Sequence, residues 1–194
     1  MNIGLFLGSF NPIHNGHIGL AQYILTHSKQ IDEIWFVVSP NNPLKDKSSL
    51  LDENIRFEMV RHAVREIEHL EACDIELSLP RPSFTANTLR ALKQKYPEHE
   101  FSLIIGSDNM AIFNRWREWE YIYDNYLILV YPREGDNIKQ LRRQYPKMKV
   151  IANAPLFAIS STDIRNLYKQ GKDFSSFVPK NVDSALSESK NFWE

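Results

Sequence analysis

Short solid runs of apolar residues alternate along this chain with longer stretches in which apolar residues recur at helical spacing. Residues 3–7 are a mostly apolar run closed by a glycine, the pattern of a strand buried on both faces. Residues 16–27 follow as a predicted helix, with Ile18, Ala21, Ile24 and Leu25 on its apolar side. Residues 34–38 are a second strand, ended by Ser39-Pro40. Asp52 is placed to cap a helix on which Ile55, Met59, Val60 and Val64 recur. Residues 74–79 read as a short strand stopped by Pro80. Thr85 is expected to cap a helix carrying Leu89 and Leu92, which ends before Pro97. Residues 101–105 and 126–131 are further strands, residues 138–145 a helix, and Val150-Ile151 a brief strand. Residues 161–168 form the last clear helix.

Strands alternating with helices predict an α/β fold, with a doubly wound, mostly parallel sheet covered on both faces. Right-handed crossovers follow. Ligands in such sheets bind beyond the carboxyl ends of the strands. The turns after Leu7, Val38, Ile105 and Tyr131 should therefore surround one crevice. No repeat, low-complexity block or linker interrupts the pattern, so residues 1–194 read as one domain, with 171–194 as a small carboxyl-terminal extension.

Composition adds exclusions. With 194 residues, 43% of them apolar and 24% charged, the chain is long enough for a sizeable core and ordinary for a globular protein. A formal charge of −1 provides no global field for nucleic acid. The single cysteine, Cys73, rules out an intrachain disulfide or a multi-cysteine zinc site and suggests a reducing compartment. The amino terminus has no basic n-region, and no stretch approaches a membrane span. A cytoplasmic protein without nucleic-acid or membrane partners is expected; a homo-oligomer is compatible with the sequence.

Residues 8–17, Gly-Ser-Phe-Asn-Pro-Ile-His-Asn-Gly-His, sit where the first strand turns into a helix. Gly8 permits a tight turn and close approach of backbone to ligand. Free N–H groups at the helix start favour an anion there. His14 and His17 are three apart and fall on one side of a helical turn, where neutral imidazoles can donate to phosphate oxygens. Two surface histidines, or a two-histidine metal site with no completing ligand nearby, are the simpler alternatives. The whole run resembles the HxGH signature of the nucleotidylyltransferase superfamily. More closely, it resembles the form found in bacterial nicotinate-nucleotide adenylyltransferases.

Residues 159–165, Ile-Ser-Ser-Thr-Asp-Ile-Arg, open the last helix. Ser160 and Asp163 have capping-box spacing, which is the structural explanation. It leaves Arg165 unexplained, because a cation near a helix start opposes the helix dipole unless an anion sits there. The segment resembles the family's I-S-S-T-x-I-R motif, which implies binding of ATP phosphates. The resemblance implies a Rossmann-like fold with a small carboxyl-terminal helical extension. It also implies an ATP site built from Gly8, Ser9, Phe10, His14, Gly16, His17, Ser160, Ser161 and Arg165.

Four further segments resemble the family's acceptor-binding parts. Residues 39–45 match its P-x-x-P-H-K loop, with Leu44 in place of histidine and Lys45 kept as a charge for substrate phosphate. Residues 82–89 match P-S-Y-T-x-x-T-L, with Phe84 for tyrosine and Thr85 implied near the pyridine ring. Gly106 and Asp108, with Phe113 and Trp116, match I-I-G-x-D … F-x-x-W. Asp108 can accept from ribose hydroxyls, and Trp116 offers a flat face, or simply packs with Trp119 and Tyr123. Tyr131-Pro132-Arg133 stands in place of the family's R-P-G turn, with the order changed.

The resemblance implies adenylyl transfer from ATP to nicotinate mononucleotide in NAD biosynthesis. His14, His17 and Arg165 would stabilise charge, and Mg²⁺ would arrive with ATP and need no dedicated protein metal site. Nicotinamide mononucleotide or phosphopantetheine as acceptor, or a non-catalytic nucleotide-binding module, are the alternatives. Class I aminoacyl-tRNA synthetases share an HIGH-type motif but need a larger body and tRNA-binding domains.

Overall fold

A computed structural model describes residues 1–40, 50–188 and 193. Its strands are β1 (Asn2–Gly8), β2 (Glu33–Val38), β3 (Leu70–Cys73), β4 (Glu100–Gly106), β5 (Leu127–Tyr131) and β6 (Lys149–Val150). They form one sheet in the order β3-β2-β1-β4-β5-β6, each parallel to its neighbours. This is the expected doubly wound α/β fold. The chain builds outward from β1 through β2 to β3, then returns to the other side of β1 as β4. The gap between the carboxyl ends of β1 and β4 is the topological switch point, where ligands of such sheets bind.

The helices are α1 (Asn15–His27), α2 (Glu53–Val64), α3 (Thr85–Lys95), α4 (Ser107–Ala111), α5 (Trp119–Asn125), α6 (Ile138–Gln144), α7 (Ser161–Lys169) and α8 (Lys180–Glu188). Alternation along each strand divides the core in two. Phe6, Phe36, Ile104 and Leu129 face α1, α2, α7 and α8. Leu5, Val37, Leu103 and Val130 face α3, α4, α5 and α6. Cys73 is buried, and burial pushes its thiol up to about 11, so it is an inert filler. Among the described residues no helix is long and apolar enough to cross a membrane.

Three local expectations need correction. Residues 74–79 are not a strand. The strand comes earlier, at Leu70–Cys73, and Ile75–Ser78 is a 3₁₀ turn. Ile75 and Glu76 are both buried. Leu77 N–H closes the turn on Asp74 O at 2.8 Å. Thr85 is the first residue of α3 and Phe84 is its cap, since the Phe84 carbonyl accepts from Asn87 and Thr88 N–H. His14, too, is a cap and not a helical residue, with φ −145° and ψ 167°. Helices α4 and α5 had no counterpart in the sequence reading, being too short to show a period.

The carboxyl-terminal extension belongs to the main core. Val178, Val182 and Leu186 are buried, and Asn181 Nδ2 donates to His62 O of α2 at 2.6 Å. Trp193 is also buried, its ring edge-on to Tyr168 of α7 at 5.1 Å. Leu186→Ala should cost about 2–4 kcal/mol by the transfer and cavity terms of a buried leucine. Denaturant unfolding will check it, and a loss below about 0.5 kcal/mol, the range of a surface substitution, would show that the extension lies outside the cooperative core.

Candidate active site

The turn after β1 is held in a conformation its residues do not prefer. Phe10 has φ +43°, in the left-handed region, and its ring is buried against Phe6, Phe36 and His17. That ring lies over Gly8, where a Cβ would meet it at 2.8 Å. Gly8 is thus required for packing, and Phe10 acts as the floor under His17 more than as a ligand contact.

His14 caps α1 and His17 lies one turn on, so their rings stack at 3.7 Å. His14 N–H donates to His17 Nδ1 at 3.3 Å. In a neutral His17 this leaves the proton on Nε2, making that atom a donor. His14 is buried, and its Nδ1 has no hydrogen-bond partner among the described residues. Burial first, then the charge of Arg133, lowers its pKa to about 4, against a smaller opposing effect of Asp163. His14 is therefore neutral at neutral pH.

Residues from the two ends of the chain meet here. Ser161 Oγ donates to Pro12 O at 2.8 Å, and Arg165 Nη1 donates to Asn11 O at 2.9 Å. Arg165 also reaches Thr162 Oγ1 at 3.1 Å. The capping box at α7 is real: Ser160 N–H and Oγ both donate to Asp163 Oδ2, at 2.9 and 2.6 Å. Asp163 thus already supplies an anion at the helix start, and both seryl hydroxyls are engaged by protein acceptors. The first-turn N–H groups of Ser161 and Thr162 lack intrahelical partners and remain donors there.

Two cavities open at the switch point. The larger, about 690 Å³, is lined by His14, Gly16, His17, Ser160, Ser161 and Arg165, with Leu156 and Phe157 at its apolar side. Phe157 seats on α1 where a Cβ at Gly16 or Gly19 would collide with it. The smaller, about 410 Å³, is lined by Phe84, Thr85, Gly106, Trp116, Arg115 and Arg117. Gly8, Ser9 and Tyr131 line both. The structure places Asp108 and Arg133 on the larger cavity, apart from Phe84, Thr85 and Trp116. They pair with each other at 3.1 Å, directly over Gly106, where a Cβ would collide with both. Lys45, with Leu44, lies outside the described residues.

Trp116 packs on Phe113 at 5.4 Å and also faces the smaller cavity, so its core and ligand roles coexist. Arg117 lies over the Phe84 ring at 4.8 Å. Sequence reasoning missed two buried charges. Glu76 lines the smaller cavity and accepts from Thr88 Oγ1 at 2.7 Å and Ser83 Oγ at 2.9 Å, while burial raises its pKa. Arg56 is completely buried beneath the site. Its signal was present: it stands on the apolar stripe of α2 with Met59, Val60 and Ala63. Among the described residues no three His, Cys, Asp or Glu side chains converge as a metal site.

With this geometry in hand, known proteins can be compared. The cytidylyltransferase-like family model matches residues 5–167. A probable nicotinate-nucleotide adenylyltransferase of Flavobacterium johnsoniae is 46% identical over 94% of both chains. One from Cytophaga hutchinsonii is 44% identical over 99% of this chain and 98% of its own. The chain belongs to the cytidylyltransferase-like family, in its nicotinate-nucleotide adenylyltransferase branch. It is a nucleotidyltransferase. Its fold is similar to that of a Plasmodium falciparum nicotinic acid mononucleotide adenylyltransferase solved with NaAD, with a TM-score of 0.76 over 98% of this chain and 97% of that one at 18% identity.

The neutral state of His14 has a consequence for acid stability. Between pH 6.5 and about 4 the unfolded chain binds a proton at this residue that the folded protein does not. Stability must therefore fall as pH falls through that window, by up to about 3 kcal/mol from this group. His14→Asn, which keeps a capping side chain, should flatten this part of the curve. Thermal unfolding of the unliganded protein from neutral to acid pH will show it; parallel curves for the two proteins would refute the assignment.

Proposed function

We propose that this chain transfers AMP from MgATP to nicotinate mononucleotide, releasing pyrophosphate and nicotinate adenine dinucleotide. The carrying observation is that two cavities meet at Gly8 and Ser9, at the switch point of the sheet. One has phosphate-binding chemistry and the other an aromatic wall with two arginines. Two ligands seated there would have their reacting phosphates at the shared edge.

In the reaction an oxygen of the acceptor phosphate forms a bond to the α-phosphorus of ATP. The bond from that phosphorus to the bridging oxygen breaks, and pyrophosphate carries away the electron pair. No protein nucleophile is needed, and catalysis comes from positioning and charge stabilisation. His17 Nε2, the α7 N–H groups and Arg165 would hold the polyphosphate. The ribose of ATP would take Asp108, freeing Arg133 to turn toward phosphate. Lys45 remains our candidate for the acceptor phosphate. Mg²⁺ enters as part of MgATP, held by phosphate oxygens and water.

Arg115 and Arg117 support the acid over the amide. A carboxylate on the pyridine ring, seated between Phe84 and Trp116, would gain charge-assisted hydrogen bonds from either guanidinium. Glu76 opposes this only weakly, because its oxygens already accept from Ser83 and Thr88 and burial raises its pKa.

Two measurements test this reading. ATP and Mg²⁺ are supplied with nicotinate mononucleotide, nicotinamide mononucleotide or phosphopantetheine, and pyrophosphate is followed. The nicotinate substrate should be used best. Arg117→Ala should raise its KM by about tenfold, the loss of about 1.4 kcal/mol, and change the nicotinamide KM less. Pyrophosphate release with none of the three would favour a binding module. Separately, His17→Ala should lower kcat by roughly 10²–10³-fold, as for loss of a charge-stabilising donor, in a protein that stays folded. Near-wild-type turnover would remove His17 from the mechanism.

A further inference from the structure

The completely buried Arg56 lies between the two halves of the site. Its Nη1 donates to Ser9 O at 2.5 Å and to Ser39 O at 2.8 Å. Nη2 donates to Pro40 O at 2.9 Å, and Nε to Leu51 O at 2.8 Å. Every acceptor is a main-chain carbonyl. Among the described residues no carboxylate forms a salt bridge with the guanidinium. Glu53 and Asp52 favour the charge without touching it, but burial outweighs them, and a buried cation with no contacting carboxylate is a costly way to stabilise a core. It is suited to fixing geometry, because the planar fork demands that several acceptors lie in set directions.

Those acceptors are not equivalent in the site. Ser9 opens the turn after β1 and lines both cavities. Ser39 ends β2 and lines only the smaller one. The two turns share one further contact, Ser39 N–H to Gly8 O at 2.9 Å. A single nitrogen, Nη1, therefore binds the carbonyl of the donor-side turn and that of the acceptor-side turn.

We infer that Arg56 is a positioning residue that couples the ATP and acceptor halves of the site, by locking the turn after β1 to Ser39-Pro40, just beyond β2. This rests on the adenylyl-transfer reading above. Ordering either turn with its ligand orders the other through the shared guanidinium. The two ligands then bind with positive coupling, and their phosphates meet in register. Lysine keeps the charge, but its single nitrogen cannot replace the three that hold four carbonyls in fixed directions.

The test is calorimetric binding of nicotinate mononucleotide, with and without saturating Mg²⁺ and α,β-methylene ATP, which cannot release pyrophosphate. In the wild type the analogue should tighten the mononucleotide by at least about fivefold, a typical coupling between sites. In Arg56→Lys that factor should fall below about twofold, while each ligand alone binds within about threefold of wild type. Arg56→Gln, which keeps a planar donor group, serves the same purpose if the lysine variant does not fold. Independent binding in the wild type overturns the proposal, as does coupling retained in a folded variant. An equal weakening of both ligands alone also overturns it, because that is what general destabilisation produces. If the wild type binds neither ligand, the adenylyl-transfer reading itself falls.

Discussion

Parallel strands end with backbone N–H and C=O groups that no further strand pairs, and buried groups of that kind must find partners. At the carboxyl edge of this sheet, how those groups are satisfied decides where everything else goes. The carbonyls of Ser9, Ser39 and Pro40 are taken by one guanidinium. Those of Asn11 and Pro12 are taken by Arg165 and Ser161 from the far end of the chain. The hydroxyls near the acceptor wall are gathered by Glu76. The first-turn N–H groups of α1 and α7 that lack intrahelical partners belong to residues that border the larger cavity, where they suit an anion.

The same constraint explains what could be read in the sequence. The alternation of apolar runs and helical periods located five of the six strands, because burial on both faces forces those patterns. It failed at residues 74–79, which were read as a short strand, and where Glu76 would have stood on a polar face. In fact it is a buried carboxylate whose hydroxyl partners, Ser83 and Thr88, come from a later segment. The two phosphate motifs were legible as local words, since strand-to-helix turns need particular residues at fixed spacing. Their meeting was not, because the contact of Arg165 with Asn11 spans the chain. Arg56 was hidden for a related reason: an arginine on an amphipathic helix is read as snorkelling, and only the fold shows that its acceptors are main-chain carbonyls.

Family resemblance and geometry also divide the labour differently at two pairs of residues. The motif makes Ser160 and Ser161 phosphate ligands, yet both hydroxyls serve the protein, one in the capping box and one on Pro12. It makes Asp108 and Arg133 part of the acceptor side, yet they form an ion pair on the ATP side.

Where the positive charge of the site comes from then follows. Its signature histidine, His14, is neutral at physiological pH because burial outweighs the pull of Asp163, and the charge of Arg133 pushes the same way. Protonating it would put a second cation beside Arg133 in a dry pocket, at a cost its position cannot offset. On the proposed reading, the positive charge facing polyphosphate would come from Arg165 and Arg133, which line the larger cavity, and from the Mg²⁺ that would accompany ATP. The His14 imidazole is left to do what a neutral ring does well, which is to direct single hydrogen bonds. The stacked geometry of His14 on His17, fixed by the cap of α1 and floored by Phe10, is what aims them.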